Sequence, residues 1–218
     1  MAFAHSPARR AALRGAPGRG AAPGTAAPRR VRAQQAAALV DIAGRRVQVR
    51  LPARRIVLGD GPLAYVVALL RPDEPFARIV GWGDNFRSAD LGGYLAYRQR
   101  FPAIDRIPTF RGSNVGAIDI ELAISLAPDV VVLNLSSRPA AESSGLMARL
   151  DQAGIPVVFV DFRTRMFDNT ARSIDIMGEL LDEPGRARAF LQFRQAQIDR
   201  VVPVSYTHLR AHETRHDL

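Results

Sequence analysis

Apolar residues in the interior of the chain change their spacing repeatedly, and each change marks an element. Residues 38–52 (ALVDIAGRRVQVRLP) alternate around Gly44, with Val47, Val49 and Leu51 on one face, which predicts a β-hairpin. Arg55-Ile56-Val57-Leu58 then reads as a short buried strand that breaks at Gly59-Asp60-Gly61. An apolar helix follows from about Pro62 to Leu70, with proline suited to the first turn. The same alternation recurs: strand Arg78–Gly81, a loop over Trp82–Arg87, helix Ala89–Arg100, a short strand near Ile107–Phe110, and a helix from Asp119 to Leu126. Val130–Leu133 is the strongest strand, helix Glu142–Ala153 stops at Gly154, and Val157–Phe159 is a fifth strand. Phe167–Leu181 and Gly185–Val202 carry apolar residues at helical spacing, and both helices are expected to need a partner for those faces.

Continuous apolar strands alternating with helices predict an α/β fold: a Rossmann-like parallel sheet with helices on both faces. Ligands of such sheets bind beyond the carboxyl ends of the strands. That rule selects Asp60, Trp82, Asp84, Arg87, Arg111, Ser113, Ser136, Ser137, Arg138, Phe162 and Arg163 as candidate site residues.

The net charge of +9 changes little in this picture. All 30 basic residues are arginine, and the first 33 positions hold seven of them with no acid, so the rest of the chain carries only about +2. A nearly neutral fold does not point to nucleic acid. No run of about 20 apolar residues is present to span a bilayer as a helix. Residues 34–203 contain no His, Cys or Lys, which removes the commonest general base, the best nucleophile and the soft metal ligands. Binding rather than catalysis is expected, with no cofactor and no protein-held metal.

Both ends read differently from the interior. Residues 1–33 are rich in Ala, Arg, Gly and Pro and are expected to be disordered, and they hold no apolar core of a secretory signal. Back-translated, Val204–Thr214 (VSYTHLRAHET) resembles a sequencing adapter. Residues 204–218 are therefore expected to be an adapter-derived artefact.

The interior resembles a known family, the class III periplasmic substrate-binding proteins of iron-siderophore ABC importers. The resemblance covers roughly residues 38–202 and is carried by VDIAGRRVQV, LPARRIVLGDG, FARIVGWGDNF, FPAIDRIPTF, IELAISLAPDVVVL, AGIPVVFVDFR and DNTARSIDIMGELL, in that order. It implies an N-terminal lobe over residues 38–165, an interdomain spine helix over 167–182, and the start of a second, missing lobe over 185–202. It implies capture of a ferric siderophore, delivery to an ABC permease, a monomer, and a periplasmic or lipid-anchored location, with no intact signal peptide in this sequence. Trp82, Arg111, Arg138, Arg163, Ser136 and Asp60 would then contact ligand. Arginine forks and hydroxyls suit the carboxylates and carbonyls of a chelator that already wraps its iron. Glu121 matches the family's acidic permease contact.

Each assignment has a plainer counterpart. The arginines suit a solvated surface, Trp82 suits packing under its loop, Asp60 and Asp84 suit turn formation, and Glu121 suits a first helical turn. Gly59-Asp60-Gly61-Pro62-Leu63-Ala64 also fits G-x-G-x-x-A between strand and helix, with Asp84 after the next strand. A dinucleotide-binding enzyme using NAD or flavin is thus the alternative reading.

Overall fold

The structure is a computed structural model that describes residues 33–110 and 118–213, with side chains to Val201. Arg111, Ser113, most of the N-terminal segment and the last five residues lie outside the described residues.

The hairpin forms as its alternation requires. Strands β1 (Gln35–Val40) and β2 (Arg46–Leu51) pair antiparallel, with Leu39 opposite Val47. The buried Asp41 carboxylate accepts the backbone N–H groups of Ala43 and Arg45, both at 3.0 Å, and closes the turn together with Gly44 at φ +77°. The hairpin is tied to the main sheet by Ile42, whose N–H donates to the Phe159 carbonyl at 3.1 Å.

The main sheet has five parallel strands: β3 (Ile56–Leu58), β4 (Ile79–Gly83), β5 (Thr109–Phe110), β6 (Val130–Asn134) and β7 (Val157–Val160). Their order is β5-β4-β3-β6-β7. Although these runs are continuously apolar, alternate residues feed two different cores. Ile56, Leu58, Val130, Val132, Val158 and Val160 join one cluster; Val57, Val131, Leu133, Val157 and Phe159 join the other.

The first cluster is covered by helices α1 (Ala64–Leu70), α2 (Asn85–Ala89), α3 (Leu91–Arg100) and α7 (Met166–Leu181). The second is covered by α4 (Ile120–Ser125), α5 (Arg138–Ser143) and α6 (Leu146–Gln152). Burying each of these Val, Leu or Phe side chains contributes about 1.5–3 kcal/mol, so the layered architecture follows from the pattern. Helix α8 spans Pro184–Glu213.

Three expectations need correction. The stretch expected as a loop after β4 contains α2, because Phe86 is drawn into the core and brings one helical turn with it. The single helix expected over 142–153 is two, α5 and α6, separated by Gly145 at φ +74°, a conformation that ends a helix. Helix α7 needs no outside partner for its apolar stripe, since Ile174, Met177, Leu180 and Leu181 are buried in the same cluster as Ile56, Leu58 and Val132. On α8 the expectation holds in part: Ala187 is buried, while Phe193 is 62% exposed.

Candidate functional site

The strand order reverses between β3 and β6, because the chain runs from β3 outward to β4 and β5 before returning to the other side of β3. Side chains at the carboxyl ends of these two strands border the crevice that such a reversal opens. Asp60 follows β3, Asn134 ends β6, Asn85 opens α2 after β4, and Arg163 follows β7. Four separate loops or strand ends thus meet at one cluster.

Its centre is the Asp60 carboxylate. One oxygen accepts a hydrogen bond from the Asn85 amide and the other from the Asn134 amide. The Arg163 guanidinium forms an ion pair with Asp60 at 3.0 Å. Asp60 is only 12% exposed whereas Arg163 is 57% exposed, so the anion lies beneath and the cation above. Asn85 is itself positioned through its amide oxygen, which accepts the Gly61 N–H at 2.8 Å. Close approach of the backbones requires glycine there: a Cβ at Gly61 would lie 2.5 Å from the Gly83 carbonyl oxygen and 2.6 Å from the Phe86 nitrogen.

The loop bearing Arg163 is held from below. The buried Asp161 carboxylate accepts the N–H groups of Arg163, Thr164 and Arg165 at 3.0, 2.9 and 3.1 Å, and the Asn169 amide at 2.8 Å. Burial alone would raise the Asp161 pKa, but these hydrogen bonds outweigh it and hold the carboxyl below its ordinary value.

The remaining expected residues are placed elsewhere. Trp82 does not offer its ring to the crevice: it is 2% exposed and packs edge-on against Phe76 at 5.6 Å and Phe86 at 5.5 Å. It contributes to the floor of a cavity of about 860 Å³ beside β4 and β5, whose walls include Asp84, Arg87, Leu91, Tyr94 and Arg98. In that wall Asp105 accepts the Tyr94 hydroxyl at 2.5 Å and the Arg98 guanidinium at 2.6 Å, and Arg87 lies over the Tyr94 ring. Arg138 is committed to its neighbour one turn on, donating to Glu142 at 2.7 Å. Ser136 is exposed on the turn after β6. Glu121 lies in the first turn of α4, capped by Asp119, and is 74% exposed with Arg149 as its ion-pair partner.

Asn85 and Asn134 were absent from the sequence expectations. Asn85 lies within FARIVGWGDNF and Asn134 directly follows IELAISLAPDVVVL, but neither was singled out there, and only the convergence of four chain segments brings them to the cluster.

Among the described residues, no group of three His, Cys, Asp or Glu side chains is close enough to hold a metal ion. The same residues contain no helix long and apolar enough to cross a membrane. A phosphate cradle at Gly59-Asp60-Gly61 is not available either. The Gly61 N–H is already committed to Asn85, and the Asp60 carboxylate beside it would repel a phosphate.

No known family matches the chain by sequence, and no curated protein does. Solved structures do match by shape. The TroA-like periplasmic binding protein FepB from Veillonella parvula superposes with a TM-score of 0.70 at 22% identity, over 76% of this chain and 48% of its own. The fold is that of one lobe of a periplasmic binding protein. Two other similar structures differ in what they hold. MolA of Haemophilus influenzae, bound to molybdate, matches with a TM-score of 0.56 at 19% identity over 70% of this chain and 48% of its own. The siderophore-binding protein BauB, bound to a complex of two acinetobactin molecules and ferric iron, matches at 0.55 and 12% identity over 77% and 53%. The chain therefore spans about half the length of the structures it resembles.

Proposed function

We propose that this chain is the N-terminal lobe of the substrate-binding component of an ABC importer, and that its cargo is a ferric siderophore. The observation that carries the reading is the cluster at the carboxyl ends of β3 and β6. It offers amides and a guanidinium and contains no thiolate or imidazole, a donor set that suits the organic wrapping of an iron chelate better than the bare ion. Likeness in shape to binding proteins supports it.

On this reading residues 38–165 are the lobe, α7 is the spine between lobes, and 185–202 begin the second lobe. Capture involves no bond making or breaking, takes place in the periplasm or on a lipid-anchored protein, and needs one copy of the chain. Glu121, exposed at the start of a helix whose N-terminus lies at the carboxyl end of the sheet, is suited to meet a basic permease residue.

Equilibrium dialysis of the protein against iron-loaded catecholate, hydroxamate and carboxylate chelators, each compared with its iron-free form and with NADH, tests the proposal. Saturable retention of one ferric chelate is the expected result. Retention of NADH alone, or of no chelate in any class, overturns it.

A further inference from the structure

Two of the three arginines expected to meet ligand lie among the described residues, and they are in different states. Arg138 donates to Glu142 on its own helix, and Arg111 lies outside the described residues. Of the two described, Arg163 has its head at the crevice, where it donates no hydrogen bond beyond its ion pair with Asp60. Its guanidinium is held by charge at 3.0 Å from Asp60, yet donates no hydrogen bond to any other described residue. Its backbone N–H is fixed by Asp161 at 3.0 Å.

A long flexible side chain is thus restrained at both ends before any ligand arrives, which lowers the ordering cost of binding. The charge distribution has a direction too. Asp60 has both oxygens engaged by buried or partly buried amides and is 12% exposed, while the cation outside it is 57% exposed. A ligand therefore meets the positive end first. An ion pair this exposed contributes about 1 kcal/mol or less, so it does not prevent a ligand carboxylate from sharing the guanidinium.

We propose that Arg163 is the specificity-determining residue of this lobe, that Asp60 held by Asn85 and Asn134 is its positioning residue, and that the cargo is an anionic ferric chelate with free carboxylates rather than a neutral or cationic hydroxamate. This rests on the binding-protein reading given above and narrows it to one ligand class.

The test compares ferric citrate with ferrioxamine B, an iron hydroxamate without carboxylates, by equilibrium dialysis of the full chain. Unsubstituted protein is expected to favour ferric citrate. Arg163→Gln should weaken ferric citrate about tenfold or more, the size of a lost charge-assisted hydrogen bond, and leave ferrioxamine B within about twofold. Arg163→Lys, which keeps the charge without the fork, should recover only part of that loss. Asp60→Asn gives the sharper result, because its sign separates two roles. If Asp60 were only a nearby negative charge, removing it would tighten ferric citrate; as a positioning residue, its loss should weaken ferric citrate about threefold or more. Tighter ferric citrate binding by Asp60→Asn, or equal loss of both chelates in Arg163→Gln, overturns the inference. Preference for ferrioxamine B in the unsubstituted protein overturns it while leaving the binding-protein reading intact, whereas retention of neither chelate sinks both.

Discussion

At the amino ends of the parallel strands charged side chains mostly close onto backbone groups; at the carboxyl ends Asp161 does so too, but Asp60 and Arg163 meet each other. Ahead of β3 and β6, the Asp129 carboxylate accepts the N–H groups of Arg54 and Arg55 at 2.8 and 3.0 Å, and Arg55 donates to the Leu126 and Ala127 carbonyls. Arg78, ahead of β4, donates to the Ala53 and Leu181 carbonyls. The Arg71–Glu183 pair, buried at the same end at 3.0 Å, joins α1 to the segment between α7 and α8. Every such contact satisfies a backbone group or neutralises a buried charge, so this end is built for stability. The Asp60 cluster instead leaves a half-exposed cation with uncommitted donors. The difference teaches that position along the strands, more than residue type, separates arginines that close onto backbone groups from one that keeps an exposed head beside the crevice, in a chain where arginine is the only cationic residue apart from histidine.

Substitutions at the two ends should therefore fail in different ways. The largest effect is expected from Glu183→Ala, which leaves Arg71 buried without its main partner and should lower unfolding stability by about 3 kcal/mol in urea titrations, with chelate affinity unchanged. Asp129→Ala removes the acceptor for two backbone N–H groups and the Gln34 amide, and should cost about 2 kcal/mol, again without touching affinity. A change in affinity from either variant would show that the two ends are not independent.

Asp161 sharpens the comparison from the carboxyl side through pH. Its carboxyl titrates lower in the folded chain than the ordinary 3.8, so its stabilisation is complete above that value and is lost as pH falls through the folded one. Asp161→Asn should accordingly be less stable than the parent at pH 7 and lose less on acidification to about pH 3. An unchanged acid limb in urea titrations would remove the carboxylate from this role. The smallest stability effect is expected from Arg163→Gln, within about 0.5 kcal/mol of the parent by thermal melting, because its pair is largely solvated. A large loss there would make Arg163 a structural residue like Arg55 and Arg71.

Much of the architecture was legible in the residues themselves. The apolar runs Ile56–Leu58, Val130–Leu133 and Val157–Phe159 specify strands buried on both faces, and Gly154, at φ +69°, stops a helix where the spacing expected it. These are local decisions, set by side-chain period and backbone propensity within a few residues. The residues beside the crevice were legible only in part: Asp60 and Arg163 were expected there because strand ends can be located in the sequence. That Trp82 lines a cavity while staying buried was not legible, because its burial depends on packing against Phe76 and Phe86. Asn85, although inside FARIVGWGDNF, and Asn134 were not singled out, since an amide becomes a tether only when its partner arrives from 25 or 74 residues away. Period and propensity thus determine which residues line each element, while the packing of distant segments determines which polar side chains share a charge.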